Sequence, residues 1–181
     1  GCDAEALQPL LQRLARERAR WDLLDLQNLP PGARLLALAA PPGWDDLHLP
    51  EFAQPASFLS GHAVPGRLRI RYYQKRHPLQ IAARAWFGPA TEGPAGLVHG
   101  GAMAAALDEA MGVAVTRTVG RPGLTAELHV RFRKPLTPGF ATIIRPSIVA
   151  RRSRRVVARA VLLAAAGGAV HAEAEAVFII P

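Results

Sequence analysis

The chain has 181 residues, of which 50% are hydrophobic and 20% charged, and its formal net charge is +8. This composition excludes an intrinsically disordered chain, and the length suits one domain with a sizeable core. The single cysteine, Cys2, excludes an internal disulfide, and the histidines show no spacing typical of metal ligands. No apolar run is long enough to predict a membrane span, and no signal-peptide pattern opens the chain, so we expect a cytoplasmic location.

The first 56 residues predict a helical N-terminal extension. Leucines recur at helical spacing across residues 4–28, and the sequence Pro30-Pro31-Gly32 ends that helix. A short second helix is predicted over residues 34–40. The extension carries no motif with recognisable chemistry, so we expect it to pack over the core or over a partner subunit.

Residues 57–181 predict an α+β domain in which one long helix packs against a curved antiparallel sheet. The nearly all-apolar stretch 102–115 indicates a buried helix, and residues 57–64 predict a short helix or turn. Two strands are expected before the long helix and four after it. The predicted strands cover residues 68–73, 79–87, 124–132, 140–150, 154–166 and 172–180.

The strand predicted over residues 124–132 alternates between apolar and polar side chains. Because successive side chains of a strand point to opposite faces, regular alternation places Thr125 and Glu127 on the face opposite Leu128. The residues predicted to share the apolar face are Leu124, Ala126, Leu128, Val130 and Phe132.

The start of the long helix carries the most informative residues, His99, Gly100 and Gly101, and its apolar stretch contains two acids, Asp108 and Glu109. Glycines at a helix start leave backbone N–H groups accessible, and helix N-termini attract negative charge. Charged groups are rarely buried unpaired, so a carboxylate in an apolar helix needs a reason. Acyl hydrolysis needs such an anion site and such an acid, although a tight turn and a solvated helix edge would explain the same residues without catalysis.

The run His99-Gly100-Gly101, followed by Asp108 and Gly112, resembles the HGG motif of hotdog-fold acyl-CoA thioesterases. It is similar to the phenylacetyl-CoA thioesterase-like branch, which includes thioesterase superfamily member four. The similarity covers residues 57–181. The matching downstream segments are Thr125-Ala126-Glu127-Leu128, Arg133-Lys134-Pro135 and Arg154-Arg155-Val156-Val157.

The resemblance implies a hotdog fold and the hydrolysis of acyl-CoA or acyl-carrier thioesters. Asp108 would act as general base or nucleophile, and the Gly100 N–H would bind the carbonyl oxygen. Thr125 would orient the water or the acid, and His99 would hold the loop or contact the substrate carbonyl. The implied substrate-binding residues are Gly101, Arg154 and Arg155, the two arginines through the phosphates of coenzyme A. Coenzyme A is part of the substrate, so no cofactor and no metal are expected.

Helix geometry predicts that two chains build the site. Gly100 and Asp108 are eight positions apart, which is ~12 Å along one helix. A catalytic carboxylate must lie within about 3 Å of its proton, or one water away. A symmetric homodimer, alone or as a dimer of dimers, would bring Gly100 of one chain to Asp108 of the other. Glu109 lies a helical step of about 100° further on, so we expect it to be structural.

A basic block covers residues 131–170, which hold nine arginines and lysines and no acid. Such a block favours a polyanion, either nucleic acid or the phosphates of coenzyme A. Aromatic residues that would stack on bases are not interleaved with it, so no nucleic-acid partner is expected. A non-catalytic acyl-CoA-binding sensor or scaffold of the hotdog fold remains the alternative function.

Overall fold

The computed structural model describes residues 43–47, 59, 66–76, 78–165 and 168–181. The predicted N-terminal helices, and the predicted segment 57–64 apart from residue 59, lie outside these residues. The described part contains one long helix, α1, and a seven-stranded antiparallel sheet, which confirms the predicted α+β layout. The elements are β1 (Asp45–Asp46), β2 (Arg69–Arg76), β3 (Leu79–Trp86), α1 (Gly100–Val119), β4 (Leu124–Phe132), β5 (Ala141–Arg152), β6 (Arg155–Ala164) and β7 (Val170–Ile179).

The strand order of the sheet is β1-β2-β3-β5-β6-β7-β4. β4 therefore forms one edge of the sheet, although it follows α1 directly in the chain. Strand β3 shows how the inner face is built, because Ile81, Ala83 and Ala85 alternate into the core as the sequence predicts. The two-residue strand β1 was not predicted, since a pair of aspartates carries no strand periodicity.

Helix α1 lies in the curve of the sheet and contacts every strand from β3 to β7. Its residues 110–116 are buried all around the helix, as an apolar stretch without a polar face predicts. The helix ends at Gly120, whose φ of +79° is the left-handed conformation that favours glycine, and whose N–H donates to the Thr116 carbonyl. Arg117, in the last turn, adds a positive charge where the helix dipole is negative.

A β-bulge in β4 changes which side chains face the helix. Thr125 pairs with Phe178 of β7, whereas Glu127 pairs with Val177, so Ala126 is the extra residue. Phe178 is a core residue on the helix side, and Thr125 therefore lies on that side together with Leu128. The prediction of regular alternation was wrong here, because one inserted residue reverses the faces of everything before it.

Candidate active site

The start of α1 is capped by the side chain of His99. His99 Nδ1 accepts a hydrogen bond of 2.9 Å from the Gly101 N–H, so the neutral ring carries its proton on Nε2. The Gly100 N–H, by contrast, has no hydrogen-bond partner among the described residues. At the positive end of the helix dipole, the Gly100 N–H is therefore available to a ligand, whereas the adjacent Gly101 N–H already donates to His99.

The loop before α1 holds this capped end in place. The His99 N–H donates to the Thr91 carbonyl at 2.8 Å, and the Val98 N–H donates to the Leu136 carbonyl at 2.8 Å. Thr91 lies in a short 3-10 turn, Pro89–Thr91, and its hydroxyl donates to the Gly88 carbonyl. The loop is thus tied to its own turn and to the segment after β4, which fixes the direction of the first helical amides.

Asp108 and Thr125 are brought together in the structure, although regular alternation of β4 predicted Thr125 on the other face. The Thr125 hydroxyl donates to Asp108 Oδ1 at 2.9 Å, and this contact depends on the bulge that turns Thr125 toward α1. Asp108 is partly buried, and among the described residues its Oδ2 has no partner. One carboxylate oxygen is therefore held in place while the other remains available to a ligand.

Glu109 points away from Asp108, as expected. Its Oε1 accepts a hydrogen bond of 2.8 Å from the hydroxyl of Tyr72, a buried residue of β2. Burial raises the pKa of Tyr72 well above the usual value for tyrosine, and the charge and hydrogen bond of Glu109 raise it further. The two adjacent acids of α1 thus accept hydrogen bonds from different strands: Asp108 from edge strand β4 and Glu109 from the buried Tyr72 of β2.

One chain does not bring Gly100 and Asp108 together. Both lie on α1, eight residues or ~12 Å apart along the axis. The ring of Phe132, the last residue of β4, packs at the Gly100 end, while Thr125 lies at the Asp108 end. Edge strand β4 therefore runs beside the helix from the acid to the Gly100 amide, and a single chain keeps these two groups apart.

The predicted arginines Arg154 and Arg155 lie at the β5–β6 hairpin and have different surroundings. Arg154 Nε donates to the Ile180 carbonyl at 2.8 Å, and the Ile180 N–H returns a bond of 2.8 Å to the Arg154 carbonyl. Arg155 is exposed and pairs across the hairpin with Arg152, which is also exposed. The side chains of Arg152 and Arg155 have no hydrogen-bond or ion-pair partner among the described residues, so two like charges lie opposite each other.

Arg152 was not singled out from the sequence as a site residue. The run Arg151-Arg152-Ser153-Arg154-Arg155 was a usable signal, because like charges so dense at a hairpin are unfavourable without an anion. Other members of the basic block are already neutralised: Arg133 pairs with Glu173 at 2.7 Å and Arg159 with Glu175 at 2.6 Å.

The described part of the chain has neither a cluster of metal-ligating residues nor a helix that could span a membrane. Its histidines, cysteines and acids form no group of three that could hold a metal ion. Within the same residues, no helix is both long and apolar enough to cross a membrane.

Comparison with known proteins shows a similarity to thioesterases. Residues 95–170 match the family model described as the Thioesterase superfamily. The crystal structure of zebrafish thioesterase superfamily member 2 is similar with a TM-score of 0.57 and 16% identity, over 62% of this chain and 81% of that one. The predicted similarity to thioesterases is thereby confirmed, and the described part of the chain has the hotdog fold.

Two further relatives are more similar in sequence. Acyl-coenzyme A thioesterase THEM4 of Xenopus laevis is 32% identical over 92 residues, which are 51% of this chain and 41% of the relative. The BH2602 protein of Bacillus halodurans, solved with CoA, is 29% identical, with a TM-score of 0.51 over 55% of this chain and 66% of that one. The chain thus spans about two fifths of the length of its curated relative.

Proposed function

We propose that this protein hydrolyses acyl-CoA thioesters at a site shared by two copies of the chain. The observation that carries the proposal is the pair of half-sites along β4: a free Gly100 amide at one end and the Asp108–Thr125 pair at the other. These groups supply an oxyanion donor and a positioned carboxylate. The name of THEM4, an acyl-coenzyme A thioesterase, and the CoA bound to BH2602 support the same substrate class.

The edge position of β4 supports a twofold homodimer. An open edge presents unpaired N–H and C=O groups to a second strand, and β4 ends in two exposed apolar residues, Leu124 (68% exposed) and Phe132 (53%). Two copies of β4 that pair antiparallel about a twofold axis place the first residues of one strand beside the last residues of the other. The Asp108–Thr125 end of one protomer then lies against the Gly100 end of its partner.

In the proposed reaction, the thioester carbonyl oxygen accepts a hydrogen bond from the Gly100 N–H. Asp108 Oδ2 takes a proton from water as that water attacks the carbonyl carbon, and the amide stabilises the tetrahedral oxyanion. The C–S bond then breaks, the thiolate takes the proton from Asp108, and the products are a carboxylic acid and free CoA. The Thr125 hydroxyl holds Oδ1 throughout, which leaves Oδ2 directed at the water.

Asp108 can also act as the nucleophile. Oδ2 would then attack the carbonyl carbon, expel the thiolate and form a mixed anhydride, which water hydrolyses. A single turnover in ¹⁸O-labelled water tests for the anhydride. Label in the Asp108 carboxylate requires an anhydride that water opens at the Asp108 carbon, whereas label in the released acid is common to direct attack by water and to an anhydride opened at the acyl carbon.

Mutation of Asp108 tests the function itself. Asp108→Asn keeps the shape and removes the base, so we expect kcat to fall by about 10²- to 10⁴-fold on CoA thioesters in a thiol-release assay. Glu109→Gln is the matched control, because it removes the adjacent carboxylate, which accepts the Tyr72 hydrogen bond and has no proposed part in the reaction. Near-wild-type turnover by Asp108→Asn would reject the assignment, and CoA binding without turnover by the wild type would favour the sensor or scaffold.

The free arginines of the hairpin support a contact with the phosphates of coenzyme A. We expect Arg155→Ala to raise KM for CoA thioesters about tenfold but to leave KM for short pantetheine thioesters unchanged, because a charge-assisted hydrogen bond is worth ~1.5–3 kcal/mol. Arg145→Ala, which removes an exposed arginine of β5 away from the hairpin, is the control. An equal effect of Arg155→Ala on both substrate types would remove the phosphate role.

A further inference from the structure

Phe132 stands out among the exposed apolar residues because of what its ring touches. A Cβ atom placed on Gly100 would lie 3.1 Å from Phe132 Cζ and 3.5 Å from both Cε atoms. The ring thus packs at the first residue of α1, where a Cβ would require it to shift by a few tenths of an ångström. More than half of the Phe132 surface is nevertheless exposed in the single chain.

The register of β4 defines the direction of this ring. Phe132 pairs with Ala172, a core residue, so its side chain lies on the helix side of the sheet, the same side as Thr125. Leu124, the other exposed apolar residue of β4, precedes the bulge and pairs with Ile179, so it lies on the opposite side. Phe132 is therefore an uncovered aromatic surface beside the free Gly100 amide.

We infer that Phe132 is a specificity-determining residue that forms the wall against which an apolar acyl group packs. The inference rests on the proposed function, because the twofold pairing of β4 brings Phe132 beside the partner's half of the site. An acyl group whose carbonyl oxygen accepts a hydrogen bond from the Gly100 N–H begins next to the Phe132 ring. Its hydrocarbon chain therefore extends from the amide along that ring. Each methylene buried against an apolar wall favours binding about fourfold, whereas a terminal carboxylate there loses hydration that the apolar ring does not replace.

The substrate class predicted by this geometry is a thioester of an uncharged, apolar acid. For wild-type protein we expect kcat/KM to rise from acetyl-CoA through butyryl-CoA to hexanoyl-CoA, and succinyl-CoA to be used at least tenfold less well than butyryl-CoA. In Phe132→Ala, the increase in kcat/KM from acetyl-CoA to hexanoyl-CoA should be several-fold smaller than in wild type. The kcat/KM for acetyl-CoA should change least. Phe140→Ala is the matched control, since Phe140 is 64% exposed and lies just before β5, outside the site.

The outcomes separate the inference from the function that it rests on. Wild-type protein inactive on every thioester would overturn both. An active wild type whose dependence on chain length is unchanged by Phe132→Ala would overturn the role of Phe132 alone. If Phe132→Ala does not fold or dimerise in size-exclusion chromatography, Phe132→Leu gives the test, because a smaller apolar wall should give an intermediate slope and an unchanged slope would overturn the inference.

Discussion

Two adjacent carboxylates of one helix have separate partners, and the difference is decided by single residues. Asp108 accepts from Thr125 of the edge strand, whereas Glu109 accepts from the buried Tyr72 of β2. A hydrogen bond to a charged group contributes ~1.5–3 kcal/mol to stability where it is shielded from water, as at the Tyr72–Glu109 contact, and less at the exposed Asp108–Thr125 contact. At the Asp108 contact we expect the loss to appear in catalysis, and at the Glu109 contact in stability.

Thr125→Val removes the hydroxyl that holds Asp108 and keeps the β-branched shape. We expect kcat to fall about ten- to hundredfold with little change in KM, because the carboxylate loses its orientation toward water. Stability should change little, since Thr125 is exposed. Thr118→Val, at an exposed helix position, is the matched control in the same thiol-release assay, and unchanged kcat in Thr125→Val would contradict the role.

Tyr72→Phe should lower the free energy of unfolding by ~1–3 kcal/mol, since it leaves Glu109 without this donor. Burial and Glu109 raise the pKa of Tyr72, so the fold stabilises the neutral phenol. This contribution is complete below the usual tyrosine pKa of about 10 and is lost as pH rises above it. Urea unfolding at pH 8 and pH 10.5 should therefore show a smaller alkaline loss in Tyr72→Phe than in wild type; equal losses would contradict the assignment.

At the scale of elements, two glycines of α1 have different backbone requirements: Gly120 ends the helix and Gly112 lies inside it. Gly120 ends the helix at a φ of +79°, where a side chain is strained. Gly112 lies inside the helix, and a Cβ there would make an ordinary contact of 3.7 Å with Phe178. The sequence motif includes Gly112, yet the structure gives no steric need for glycine at this position.

A matched pair of glycine-to-alanine substitutions tests this distinction. Gly120→Ala should cost ~1–2 kcal/mol of stability, because alanine is disfavoured in the left-handed conformation. Gly112→Ala should instead stabilise by ~0.5–1 kcal/mol through higher helix propensity. Denaturant unfolding of both variants measures the difference, and effects of the same sign would contradict the backbone argument.

At the scale of the whole molecule, the described chain keeps the Gly100 amide and the Asp108–Thr125 pair apart, and the sheet order shows where a second copy would join them. β4 occupies the edge of the sheet and runs beside α1, so its open side is the place where a second copy can bring the two groups together. If each protomer contributes a different group to one site, two variants that are inactive alone should regain activity when they are mixed.

Gly100→Pro and Asp108→Asn should each be inactive alone and should restore activity when mixed. Proline is tolerated at the first helical position and removes the N–H proposed as oxyanion donor. After unfolding and refolding a one-to-one mixture, half of the dimers carry one complete site of two, which predicts about a quarter of wild-type activity. A mixture of Asp108→Asn with Asp108→Ala is the control, and no recovery in the first mixture would contradict a shared site.

Local chemistry determined much of this protein without reference to its fold. The apolar stretch predicted α1, the residue patterns predicted every described strand longer than two residues, and the HGG motif indicated both the helix start and the acid at Asp108. These signals are carried by residues close together in the chain, because helical and strand periodicities repeat within a few positions. The pairing of Asp108 with Thr125 also followed from the resemblance, although regular alternation pointed Thr125 the other way.

Only the tertiary structure decided the features that depend on strand pairing. The bulge at Ala126 turns Thr125 toward Asp108, and the sheet order leaves β4 at the edge. The ring of Phe132 reaches Gly100, thirty-two residues earlier, and the guanidinium of Arg154 is committed to the Ile180 carbonyl. Each of these contacts joins distant parts of the chain, so its geometry is set by register and curvature across several strands, which no local pattern of residues encodes.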